Sequence, residues 1–231
     1  MDATDAADTA GAPETPHAGW PRRLLAARRP AAVAGGLVLV YLVVQLAAGD
    51  RPYGWEHDLV DAATRIPDVV GWPMRALMDL ANRALVPLYA LLAWLLTRRP
   101  PAALAVLIAG WTVGLGVDAL KDWAERPRPT GVRLRDHVGG YGFPSGHTAF
   151  AFAVAAVIAA YLPGRWRLVP YGLAAVVGLA RMHVGVHHPF DVVGGALWGT
   201  AVAYAALALV ALTLPDNPPP TSVDPDEPRQ G

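Results

Sequence analysis

Six side chains with acid–base or anion-binding chemistry are confined to three polar segments of an otherwise apolar chain. Lys121 and Arg128 lie in 121–129 (KDWAERPRP), His147 in 141–147 (YGFPSGH), and Arg181, His187 and Asp191 in 181–191 (RMHVGVHHPFD). Lysine occurs once, at 121, among 19 basic residues. Three cations held close together repel unless an anion lies between them. Two guanidinium groups and an ammonium suit the oxygens of a phosphoryl group, because arginine donates in a planar, bidentate fashion. Ser145 and Gly146 follow Pro144 at the start of an apolar helix, where backbone N–H groups and the positive end of the helix dipole also favour an anion.

Asp191 follows His187 by four residues, and Pro189 suits the first turn of a helix. If helical geometry reaches back to His187, the two side chains share a face. A carboxylate on Nδ1–H then fixes the tautomer and leaves Nε2 to attack. His147, from another segment, is placed to protonate a leaving oxygen and later to activate water. An isolated histidine reads more simply as a buried, hydrogen-bonded residue; beside three cations and an aspartate, the chemical reading is preferred. His183 and His188 near His187 raise the alternative of a zinc site, but no cysteine or glutamate stands nearby, and no metal is expected.

These segments are positioned by long apolar runs. Residues 31–48 carry no charge and approach the ~20 residues needed to cross a bilayer. A second run, 84–97, must extend back to about Pro73, with Arg75, Asp79 and Arg83 spaced four apart as helical partners. Runs at 101–120, 148–162, 168–180 and 192–213 complete an expected bundle of about six transmembrane helices, an all-α polytopic fold. The runs are apolar all round, which argues against a soluble helical domain. With alternating spans, all three polar segments fall on one membrane face. Arg22, Arg23, Arg28 and Arg29 precede the first span, which predicts cytoplasmic termini and an extracytoplasmic site. Lys121, Arg126, Arg128, Arg133 and Arg135 lie in a predicted outer loop, so orientation rests on the first span. That span reads as an uncleaved anchor, although Ala47-Ala48-Gly49 offers small residues for signal cleavage.

The three segments resemble the type 2 phosphatidic acid phosphatase superfamily. Its pattern is Lys, six residues, Arg-Pro; then Pro-Ser-Gly-His; then Ser-Arg, five residues, His, three residues, Asp. Lys121 to Arg128-Pro129, Pro144-Ser145-Gly146-His147, and Arg181, His187 and Asp191 match it in order, over about 120–195. The resemblance implies that Lys121, Arg128 and Arg181, helped by Ser145 and Gly146, bind the phosphoryl oxygens. It makes His187 the nucleophile, Asp191 its orienter and His147 the acid and then base, with the cations in place of a metal and no cofactor. Three positions depart from it: Ala180 replaces the usual Ser and removes a hydroxyl, His183 stands where Tyr is frequent, and Phe190 where a small polar residue is common.

Composition agrees with this frame. The 231 residues are 54% hydrophobic and 16% charged, against about 25% charged for soluble domains. Zero net charge gives no sign of nucleic-acid binding, and the absence of cysteine removes disulfides and thiol chemistry. Residues 1–20 and 214–231 read as disordered tails around one membrane domain over 21–213. The expectation is a membrane hydrolase acting on a lipid phosphate or diphosphate, with membrane lipids around it and no obligatory protein partner. A phosphotransferase with a lipid or sugar acceptor, or a non-catalytic binder or transporter of anionic lipid, are the alternatives. The segment 50–75, with Trp55, His57 and Trp72, is expected to line the entrance.

Overall fold

The computed structural model describes residues 20–136 and 138–214, so the expected tails lie outside the described residues except for Trp20 and Leu214. Among the described residues every regular element is helical. These are α1 (Trp20–Ala48), α2 (Gly54–Thr64), α3 (Asp68–Leu80), α4 (Val86–Thr97), α5 (Pro100–Ala124), α6 (Gly146–Tyr161), α7 (Leu168–His183) and α8 (Pro189–Thr213). Short 3₁₀ turns precede α4 and α7.

Among the described residues three helices are long and apolar enough to cross a membrane: α1 from Arg23, α5 and α8. The chain is therefore membrane-embedded. α3 and α4 satisfy the same test only together, bent by 58° at their junction. Here the structure departs from the expected straight second span. Asn82 accepts from the Ala84 N–H (2.9 Å), which caps a new turn, and Pro87 lies in the first turn of α4, where its missing N–H costs nothing. The expected ladder of Arg75, Asp79 and Arg83 does not form. Arg75 turns to Asp68 (3.3 Å), and Arg83 reaches Asp118 on α5 (3.5 Å).

α6 and α7 have 16 residues each, about 24 Å at 1.5 Å per residue, which is short of the ~30 Å hydrocarbon core. For α6 the apolarity has a second use. α6 is buried over most of its length, with α5, α7 and α8 around it. A helix in that position needs no polar face. Its closest approach is to α8, at Gly195 and Gly199. A Cβ on Gly199 would collide with the Ala149 backbone, and one on Gly195 with the Ser145 carbonyl. Small residues four apart let two helices meet backbone to backbone. This seam fixes the start of α6 beside the start of α8.

The polar segments gather at one end of the bundle because each marks a helix end there. α5 stops at Glu125, and the prolines at 127 and 129 prevent its resumption. α6 starts after Ser145, α7 stops at His183, and α8 starts at Pro189. α2, an element not anticipated, packs at the same end against α7 and α8.

Candidate active site

α8 begins at Pro189 with His188 as its N-cap, so helical geometry does not extend back to His187 as expected. The pair meets by a different route. Asp191, in the first turn, folds back across the cap. Its Oδ2 accepts from the His188 N–H (2.8 Å) and lies 3.4 Å from His187 Nδ1. The other ring nitrogen, Nε2, lies 3.3 Å from an Arg128 amino group, which also donates to the Val186 carbonyl (2.9 Å). Arg128 Nε donates to the carbonyl of Gly140 (3.0 Å), which sets the angle of the guanidinium.

His187 is 1% exposed. Burial, together with the charges of Arg181, Arg128, Lys121 and His147, holds its pKa well below the ordinary histidine range. The imidazole is thus neutral at neutral pH. With Nδ1–H directed to Asp191, the Nε2 lone pair faces a region where cations converge. An uncharged nitrogen in that field is arranged to attack an anion.

The remaining cations come from separate helix ends. Arg181, in the last turn of α7, is buried and donates to Asp136 Oδ2 (3.2 Å). Lys121, in the last turn of α5, lines a cavity of about 230 Å³ with His147, Gly146 and Asp118. Neither Lys121 nor His147 bonds to His187, but both act on it through their charge. Ser145 is fully buried and already engaged: its N–H donates to the Asp191 carbonyl (2.9 Å), and its Oγ accepts from Thr148 (2.9 Å). The N–H groups of Gly146, His147 and Thr148 precede the first intrahelical bond, from Ala149 N–H to the Ser145 carbonyl, and form the helix N-terminus beside the cations.

Two site residues escaped the sequence reading. Arg126, 1% exposed, donates to Asp191 Oδ1 (2.8 Å) and pairs with Glu56 of α2, which is fully buried. Glu56 in turn accepts from the N–H groups of Phe190 (3.2 Å) and Tyr53 (3.1 Å). A buried row of acid, base and acid therefore runs from α2 to Asp191, beside His187. Both carboxylates are compensated by one guanidinium and by backbone donors, as buried charges require. Arg126 had a legible signal, since it opens the first of two consecutive Arg-Pro pairs. Glu56 had none, because no spacing links position 56 to 126 or 191. Gly142 gives the row its room: a Cβ there would lie 2.8 Å from Asp191 Oδ2.

Two of the three departures from the family pattern have structural explanations. His183 is buried, its Nδ1 2.9 Å from the Ala63 carbonyl and its Nε2 3.5 Å from Arg75, and it fills the space left by Gly71. It joins α7 to α2 and α3, apart from His187 and His188. Among the described residues no group of three or more His, Cys, Asp or Glu is placed to hold a metal. Phe190 meets Trp55 edge to face (5.6 Å between centroids) and keys α2 onto α8. Ala180 is buried in the core, and no hydroxyl replaces the one it lacks. Within 50–75, Trp55 and Trp72 are exposed at the site end, whereas Glu56 points inward.

Residues 101–213 match the model of the PAP2 superfamily. A putative undecaprenyl-diphosphatase of Escherichia coli is 31% identical over 151 residues, which cover 58% of this chain and 71% of that protein. A probable diacylglycerol pyrophosphate phosphatase of Schizosaccharomyces pombe is 33% identical over 140 residues, 44% of this chain and 50% of that one. The chain spans about half the length of the first curated relatives it matches. The fold is similar to the crystal structure of a transmembrane phosphatidylglycerolphosphate phosphatase from Bacillus subtilis. The TM-score is 0.62 at 24% identity, over 75% of this chain and 93% of the other.

Proposed function

Because the chain belongs to the PAP2 superfamily, we propose that it hydrolyses a lipid phosphate or diphosphate through a phosphohistidine on His187, without a metal. One observation carries this reading. A buried, neutral imidazole has its Nδ1 directed to a carboxylate, and its Nε2 lies 3.3 Å from Arg128 amid further cations. In the first step Nε2 forms a bond to phosphorus as the bond from phosphorus to the lipid oxygen breaks. His147, protonated once the phosphate dianion offsets the neighbouring cations, gives the leaving oxygen its proton. In the second step water attacks the phosphohistidine, His147 takes a proton from it, and inorganic phosphate leaves with His187 neutral again. Lys121, Arg128 and Arg181, with the amides at the start of α6, neutralise the charge on the equatorial oxygens. Asp191 stabilises the imidazolium character that His187 acquires on phosphorylation.

The names of the relatives support a phosphate carried on a lipid, such as phosphatidic acid, phosphatidylglycerol phosphate or an isoprenyl diphosphate. The apolar helices keep such a tail in the bilayer while the head reaches the helix ends. The arginines before the first span favour a site on the extracytoplasmic face, with both termini in the cytoplasm. Residues 21–213 form the catalytic unit in this reading.

His187→Ala is expected to abolish phosphate release from a panel of lipid phosphates in detergent, and EDTA is expected to leave the unsubstituted protein unaffected. Full activity of the variant, or loss of activity in EDTA, overturns the proposal. Phosphate release that depends on an added lipid or sugar alcohol would instead indicate a transferase using the same pocket.

A further inference from the structure

Arg181 is buried to 98% of its side chain, yet the group it holds is one of the chain's own acids. Its amino group donates to Asp136 Oδ2 at 3.2 Å, whereas its Nε–H is buried without a hydrogen-bond partner. The same amino group also meets the Met78 sulfur (3.5 Å), so among the described residues the only oxygen on these donors is the carboxylate oxygen, which stands where a phosphoryl oxygen would. Asp136 belongs to the cluster by charge as well as by contact, since its field also reaches Arg128 and His147. It lies in the loop between α5 and α6 and acts on two of the three cations, Arg181 and Arg128. Asp191 is held instead by Arg126 and the His188 amide.

The backbone before Asp136 is firmly tied. Arg135 donates its N–H to the Val184 carbonyl (3.0 Å) and its guanidinium to the carbonyls of Thr64 (2.7 Å) and His183 (3.1 Å). The carboxylate is therefore delivered to Arg181 by a fixed support. Its own side chain is 37% exposed, against 2% for Arg181, so the carboxylate lies at the solvent edge of the pair. A phosphate dianion and a carboxylate cannot share one guanidinium without like-charge repulsion.

We propose that Asp136 is an internal competitor for the phosphoryl site, which occupies Arg181 in the free protein and must be displaced by the incoming phosphate. The inference rests on the assignment of Arg181 to the phosphoryl oxygens. The displacement costs the same for every anion that takes Arg181, so inorganic phosphate and a lipid phosphate are weakened by one factor. A lipid phosphate offsets that cost by the burial of its tail, and the return of Asp136 to Arg181 accompanies product release. If Asp136 covers Arg181 in about nine molecules of ten, apparent affinity for a small anion is lowered about tenfold.

The test uses the full chain in detergent and measures inorganic phosphate and orthovanadate, both as inhibitors of phosphate release and as ligands by calorimetry. Asp136→Asn keeps the shape and removes the charge. It is expected to tighten binding of both anions about tenfold and to strengthen product inhibition, with KM for the lipid lowered by up to the same factor. Unchanged or weaker anion binding would overturn the inference, and weaker binding would mean that Asp136 orients Arg181 instead. Arg181→Gln separates the two levels: if it binds phosphate as well as the unsubstituted protein, the assignment of Arg181 fails and the inference with it. If it loses phosphate while Asp136→Asn shows no gain, only the inference fails.

Discussion

Glu56→Gln tests the buried row behind His187. The substitution keeps size and shape but removes the charge. Glu56 accepts from three donors: Arg126, the Phe190 N–H and the Tyr53 N–H. A glutamine offers one oxygen to them, and its amide nitrogen must then face a donor. Both partners of the pair are at most 1% exposed, so solvent does not screen the loss. Breaking one side of a buried pair costs about 3–5 kcal/mol. Arg126 keeps Asp191 at 2.8 Å, which puts the expected cost near the lower end, about 3 kcal/mol. For a chain of this size, about 2–4 °C per kcal/mol makes that a fall in Tm of roughly 10 °C. The measurement is thermal unfolding of the purified protein in one detergent, without ligand. Asp61→Asn, on the exposed side of the same helix, is the control and should change Tm by no more than about 2 °C. Adding Arg126→Met to Glu56→Gln leaves Asp191 without its ion pair and should lower Tm further. A Glu56→Gln protein within about 2 °C of the unsubstituted one would refute the reasoning, because Asp191 alone would then balance Arg126.

Three further outcomes are expected. Asp191→Asn should lower kcat by about 10³-fold with KM little changed, as when a histidine loses the carboxylate that holds its tautomer; steady-state kinetics on a lipid phosphate checks this. The depressed pKa of His187 gives a pH dependence of stability. Above about pH 6.5 the residue is neutral in both states, and below it the unfolded chain takes up a proton that the buried imidazole resists, so stability is lost as pH falls toward the folded pKa. His187→Gln should accordingly lose less Tm than the unsubstituted protein between about pH 7 and pH 5, and equal losses would count against the assignment. Gly199→Leu should destabilise the bundle by about 3 kcal/mol through collision with the Ala149 backbone, whereas Gly172→Ala, where a Cβ meets nothing within 4 Å, should be neutral or slightly stabilising on denaturation.

Much of the site was legible because the chemistry is concentrated. Lys121, Arg128, His147, Arg181, His187 and Asp191 stand out against apolar helices, and helices of alternating direction bring their segments to one end. The route by which His187 meets Asp191 was not legible. Spacing of four suggested a shared helical face, but Pro189 at the first helical position leaves His187 outside the helix, and Asp191 reaches it by folding back over the cap. The break between α3 and α4 was hidden for a similar reason. Arg75, Asp79 and Arg83 have the period of a helix, and only the capping by Asn82 and the pull of Asp118 on Arg83 show that the chain turns there.

The residue types and their spacing, by themselves, determined that the protein is helical, that it lives in a membrane and that its polar segments share one end. Those properties follow from local composition and the period of the backbone. Tertiary structure alone decided which charges face one another. Arg126 and Arg128 are two residues apart and chemically alike, yet one is consumed by Glu56 and Asp191 while the other lies against His187 Nε2. Asp136 and Asp191 are likewise the same acid, yet one pairs with Arg181 and the other with Arg126. Partner choice depends on contacts between positions 45 to 70 residues apart, made at separations of about 3 Å, and no local pattern in the chain encodes a distance of that kind.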